Sequence, residues 1–241
     1  MPIPDRLRAL APYGGVFALA LAVRLAYLWS WHETALFTTP VGDARVYLAW
    51  ASELASGDWL GREVFYQAPL YPYFLGVLAT LFGDGPWVAR LAQAGLGSCA
   101  CALLAAAGTA FFDRRTGILA GLGLALYAPA IFFDGLIQKA ALDGLATALV
   151  LLAFARLVDR DRPLVAFGAG VALGLLALLR ENALVLVPLA AVFVAVAGPR
   201  RPSSRRVVAI GLLGVGLALP LLPVGLRNQA VGGDFLLTTS Q

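Results

Sequence analysis

The chain has 241 residues, 60% hydrophobic and 13% charged, with 26 glycines, 14 prolines and a formal net charge of +4. Soluble domains carry about 45–50% apolar and about 25% charged residues, so this charge is too sparse to cover a water-soluble particle; disorder, which needs low hydrophobicity and high charge, is excluded as well. What remains is an all-α, polytopic membrane protein, and at about 20 residues per pass the length holds about seven spans with one sizeable extramembrane segment.

The first apolar run predicts a span over Tyr13–Trp31. It starts too late, and is too long and aromatic, to be a cleavable signal, and no small-residue cleavage site follows it. The connection after it, His32–Pro86, is 55 residues long. Every other connection is much shorter, and loops of this length are usually functional. Within it, Asp43–Ser56 reads as an amphipathic helix with Tyr47, Trp50 and Leu54 on one stripe. Leu70–Phe82 is an apolar run too short to span and fits an interfacial or re-entrant helix. Pro69, Pro72 and Gly83-Asp84-Gly85-Pro86 break the chain on either side.

Further apolar runs predict spans over Trp87–Phe112, Gly117–Phe133, Leu136–Leu157, Leu164–Leu179, Ala183–Ala197 and Val207–Leu226. Cys99 and Cys101 lie two apart inside one of them, point in different directions on a helix and read as small packing residues. The connections alternate in charge. One set holds 11 arginines, among them Arg114, Arg160, Arg162, Arg200 and Arg206, against four aspartates. The other holds the remaining seven cations against ten carboxylates. The positive-inside rule then places the N-terminus in the cytoplasm and His32–Pro86 outside, in a plasma or bacterial-type inner membrane.

Charges within or beside a bilayer are costly and mark function by default. Here Arg24, Asp43, Arg90, Asp134, Lys139, Asp143, Arg180, Glu181 and Arg227 gather at the predicted outer ends of the spans. Each has a plainer reading: Asp43 as an N-cap, Arg24 as a snorkelling side chain, Arg90 and Lys139 as interfacial anchors. Taken as a set, a carboxylate at a helix N-terminus is a general base for an acceptor hydroxyl, and nearby cations suit a phosphate leaving group. No Walker loop and no metal-spaced His/Cys cluster occurs, so neither nucleotide-driven chemistry nor a metal site is implied.

Three stretches carry a resemblance: Gly42-Asp43-Ala44-Arg45-Val46-Tyr47, then Ala55-Ser56-Gly57-Asp58-Trp59, then Gln67-Ala68-Pro69-Leu70-Tyr71-Pro72. With Ala89-Arg90-Leu91, Leu178-Leu179-Arg180-Glu181-Asn182-Ala183 and Leu226-Arg227-Asn228, they resemble the GT-C membrane glycosyltransferases. The nearest likeness is to the protein O-mannosyltransferase-like group (glycosyltransferase family 39 type), which includes the lipid A aminoarabinose transferase. The resemblance implies an inverting transfer of a sugar from a polyprenyl-phosphate donor to a glycan, lipid or protein acceptor on the outer face. It implies Asp43 as the catalytic residue and Tyr47, Arg90, Lys139, Gln67 and Arg180 as the donor-phosphate and substrate contacts.

Two departures stand out. Asp43-Ala44 replaces a common Asp-Glu, which leaves a metal or second-carboxylate role without support, so no cofactor is expected. Gln67-Ala68-Pro69-Leu70 replaces Lys-Pro-Pro-Leu, leaving Lys139, the chain's single lysine, as the substitute. Members of the family carry more spans, so the chain reads as one module over residues 1–241, with its catalytic loop at 32–86, from the N-terminal part of a longer protein that is inactive as a fragment. The competing reading is a transporter or flippase-like protein with an outward-facing polar site.

Overall fold

A computed structural model describes residues 5–159, 163–196 and 203–240. No strand occurs among them. The helices are α1 (Asp5–Trp31), α2 (Ala35–Thr38), α3 (Asp43–Ala55), α4 (Leu70–Phe82), α5 (Pro86–Phe111), α6 (Arg114–Ala125), α7 (Ala128–Gly135), α8 (Ala140–Asp159), α9 (Pro163–Ala177), a 3-10 turn (Glu181–Val185), α10 (Leu186–Val196) and α11 (Ser203–Gly232). The all-helical membrane class is therefore observed. Among the described residues four helices, Ala9–Trp31, Pro86–Phe111, Ala140–Val158 and Ser204–Gly232, are long and apolar enough to cross a membrane alone.

The predicted span Gly117–Phe133 is a fifth candidate in two pieces, α6 and α7, bent by 52°. Pro129 sits in the first turn of α7. Its ring would collide with the carbonyl four residues back, at Ala125, and α6 ends there. The other two predicted spans are shorter apolar helices, Leu164–Ala177 and Glu181–Val196. The end of the predicted span at Ala197 and the basic connections with Arg160, Arg162, Arg200 and Arg201 lie outside the described residues.

The chain divides into two compact units, and the long connection is split between them. The first unit comprises residues 1–41 and 86–152. Val16 and Ala20 of α1 pack with Cys101 and Ala105 of α5 and Ala125 of α6 in one buried cluster, which gives Cys101 a packing role. At the start of α6, Asp113 caps the helix: its Oδ1 accepts from the amides of Arg115 (2.8 Å) and Thr116 (2.9 Å). These bonds, led by the Thr116 amide, hold the Asp113 carboxyl below its ordinary pKa.

The second unit comprises residues 42–85 and 153–241. Its centre is the pairing of α9 with α11. A Cβ on Gly170 would strike the Leu213 carbonyl, and one on Gly216 the Phe167 carbonyl. Small residues that let backbones approach in this way are how membrane helices associate without a hydrophobic drive. Ala177, Leu178 and Leu221 form a buried cluster at the end of this pair, with Leu70 of α4 packed against it.

Candidate active site

The chemistry-bearing residues of the second unit are set by α3, α4 and the ends of α9 and α11. Gly42, at φ +58°, caps α3 in a conformation that costs glycine little. Asp43 is therefore the first helical residue and not the cap. It is exposed, and its carboxylate makes no hydrogen bond or ion pair with any described residue. Helix N-termini leave backbone N–H groups unsatisfied and carry partial positive charge, a setting that favours an acidic side chain, and this one stands in an open position.

One turn further, Tyr47 is buried with its ring edge-on to Tyr71 of α4, 5.0 Å between centroids. Ala51 and Leu54 continue the buried stripe of α3. The start of α4 is fixed by the Leu70 amide donating to the Leu178 carbonyl at 3.2 Å. Gln67 precedes that contact by three residues and Arg180 follows it by two, so one junction carries both. Gln67 is half-buried, and its Oε1 is buried with no described hydrogen-bond partner. Arg180 is exposed, and its carbonyl accepts from the Ala183 amide at 2.9 Å to open the 3-10 turn.

Arg227 and Asn228, near the end of α11, tie down the segment between α3 and α4. Arg227 Nε donates to the Leu60 carbonyl (2.7 Å) and Nη1 to the Glu63 carbonyl (2.6 Å), with the guanidinium 3.8 Å over the Phe65 ring. Asn228, wholly buried, accepts from the Phe65 amide and donates to the Leu236 carbonyl at 2.9 Å. Beside them the Tyr73 hydroxyl donates to the Trp59 carbonyl at 2.5 Å. Burial raises the Tyr73 phenol above its ordinary pKa, against the opposing charge of Arg227.

Arg90 and Lys139 belong to the first unit. Arg90 is 3% exposed, donates from Nε to the Gly135 carbonyl (3.0 Å) and from Nη1 to the Pro86 carbonyl (2.6 Å), and lies 4.1 Å over the Phe37 ring. Two other side chains grip the same turn. Gln93 Nε2 donates to the carbonyls of Asp134 (2.8 Å) and Leu136 (2.5 Å). Arg24 Nε pairs with Asp134 Oδ2 at 2.7 Å, both nearly inaccessible. Gly97 makes room for that pair, since a Cβ there would lie 2.9 Å from Arg24 Nε. Lys139, half-buried, follows this turn, and its carbonyl accepts from Asp143 as α8 begins.

Sequence reading singled out Arg24 and Asp134 separately and missed Gln93. The signal for Gln93 is a polar side chain inside an apolar span. No group of three or more His, Cys, Asp or Glu side chains able to share a metal ion occurs among the described residues.

Helices long and apolar enough to cross a membrane, with charged side chains paired and buried among them, mark an integral membrane protein. Residues 66–225 match the family model described as dolichyl-phosphate-mannose-protein mannosyltransferase, and the chain belongs to that family. It is a membrane glycosyltransferase of the GT-C type. The match takes in Gln67, Arg90, Lys139 and Arg180, while Asp43 and Tyr47 lie before it. No curated protein matches the chain significantly.

Proposed function

We propose that the protein transfers a sugar from a polyprenyl-phosphate donor to a hydroxyl acceptor on the outer face of the membrane, with Asp43 as general base. The observation that carries the reading is the unpartnered, exposed carboxylate of Asp43 at the N-terminus of α3 in a chain of glycosyltransferase family. Asp43 takes the acceptor's proton as the acceptor oxygen forms its bond to the anomeric carbon. The bond from that carbon to the phosphate oxygen breaks, and the electron pair leaves on polyprenyl phosphate. The configuration inverts in this single displacement.

The leaving phosphate needs a cation, and Arg180, in the same unit as Asp43, is the residue for it. Gln67 offers a buried amide oxygen to a hydroxyl. Arg90, whose guanidinium is engaged with two carbonyls and an aromatic ring, serves by fixing the 134–136 turn. Tyr47 serves by seating α3 on α4. The alternation of basic and acidic connections supports a cytoplasmic N-terminus in an inner or plasma membrane. The reading needs no metal.

The test is Asp43→Asn in the complete polypeptide, reconstituted in lipid and supplied with a polyprenyl-phosphate sugar. Loss of transfer with normal expression and folding supports the role of Asp43; unchanged transfer overturns it.

A further inference from the structure

A polar cavity of about 460 Å³ opens in the second unit between α3, the 58–66 segment and Arg227. Its size falls in the range of small-molecule sites, roughly 300–1,000 Å³. Trp50, Glu53, Asp58, Arg62, Glu63 and Tyr66 line it. Trp50 is tilted against Phe65 at 5.3 Å and stands edge-on to Tyr73 at 6.2 Å, which holds its ring in place. Tyr66 is 67% exposed.

The backbone of this wall is already spent. Arg227 takes the carbonyls of Leu60 and Glu63, and Asp58 Oδ1 accepts the Gly61 amide at 2.9 Å. Asn228 takes the Phe65 amide, and the Phe65 carbonyl accepts from Ser240 at 2.9 Å. An extended peptide, which binds through main-chain hydrogen bonds, finds few groups left to pair with. A phosphate head group meets three carboxylates and, with Arg227 committed to the loop's own carbonyls, one available cation.

Recognition therefore falls to side chains: carboxylates whose oxygens accept, a guanidinium that only donates, and aromatic rings. Hydroxyl donors on an apolar ring face match that set, with the ring against an aromatic and each hydroxyl aimed at a carboxylate. We infer that this cavity is the acceptor site and that the acceptor is an uncharged oligosaccharide. The family is described as one that modifies proteins, so this reading departs from it. It rests on the proposed transfer reaction for its role.

Chain length follows from α3. Trp50 lies seven residues beyond Asp43, two turns along the same face and about 10 Å further along the axis. One sugar ring does not reach from one to the other, so an acceptor of several rings is required.

The experiment is saturation-transfer NMR on the complete polypeptide in lipid nanodiscs, with maltotriose, cellotriose and mannotriose as probes. It needs neither donor nor turnover, so it reads the cavity whether or not Asp43 is the base. The expected result is saturation transfer to at least one trisaccharide, weakened about tenfold in the isosteric double variant Glu53→Gln, Glu63→Gln. Both positions are exposed, which spares the fold, and Tyr66→Ala provides an independent variant with the same expected loss. Absence of saturation transfer for all three probes, or equal binding by parent and both variants, overturns the proposal.

Discussion

The two units hold their charges in opposite ways. In the first, Arg24, Arg90, Gln93 and Asp134 are buried, and their polar atoms converge on one turn at residues 134–136. In the second, Asp43, Glu53, Asp58 and Arg62 are exposed, and Asp43 has no described partner. A buried charge in a membrane protein needs a partner, and in the first unit the guanidiniums of Arg24 and Arg90 are engaged with the Asp134 carboxylate and with carbonyls of the fold. A charge at a water-accessible helix end costs little to leave open. The comparison thus separates groups that hold the fold from groups available to chemistry, although both kinds look equally exceptional in an apolar sequence.

The sharpest way to break this contrast is to unpair the buried set. Arg24→Ala leaves Asp134 buried without its partner, and should cost about 3–5 kcal/mol of stability. The double variant Arg24→Leu, Asp134→Leu should recover most of it, because no uncompensated charge remains. Thermal unfolding in lipid measures both, and a double variant no better than the single one would show that packing, not charge pairing, sets the cost.

A smaller effect is expected at Arg227, which is partly exposed and holds a loop instead of a buried turn. Arg227→Ala releases the Leu60 and Glu63 carbonyls to solvent and removes the stack on Phe65. A loss of about 1–3 kcal/mol should result. Limited proteolysis of the 58–66 segment should rise with it; an unchanged cleavage rate would show that Asn228 alone secures the loop.

The smallest effect belongs to Asp113, a fully exposed cap. Its folded pKa lies below the unfolded one, so its contribution is present above the ordinary carboxylate range and is lost as pH falls through the folded pKa. Asp113→Asn should therefore be slightly less stable than the parent at neutral pH, and the two should converge in acid. A gap that widens toward low pH would contradict the assignment.

Much of the architecture was readable in composition and periodicity. The α4 helix has the predicted bounds, Leu70–Phe82, because prolines and glycines punctuate it on both sides. The α3 helix ends one residue before its predicted limit. The break at Leu126–Tyr127 was hidden because apolar residues continue through it, and only Pro129 betrays it. At Asp43 the helical start was legible but the cap was not: Gly42 caps through backbone geometry, which side-chain chemistry does not reveal. The pairing of Arg24 with Asp134 spans 110 residues. Residue type marked both as costly, yet no local pattern could join them. The cavity below Trp50 was equally invisible, since it depends on Arg227 reaching back to a loop more than 160 residues earlier.

The central claim is that the charge left open, and not the charges locked in the bundle, carries the reaction. It is tested most directly by the single-turnover rate of Asp43→Asn with a polyprenyl-phosphate sugar at saturating concentration, with unfolding measured on the same preparation. The account predicts a rate about 10²- to 10⁴-fold below the parent, the usual contribution of a general base, with nearly unchanged unfolding. A rate within twofold of the parent, or a rate that falls only as far as the protein unfolds, would contradict it.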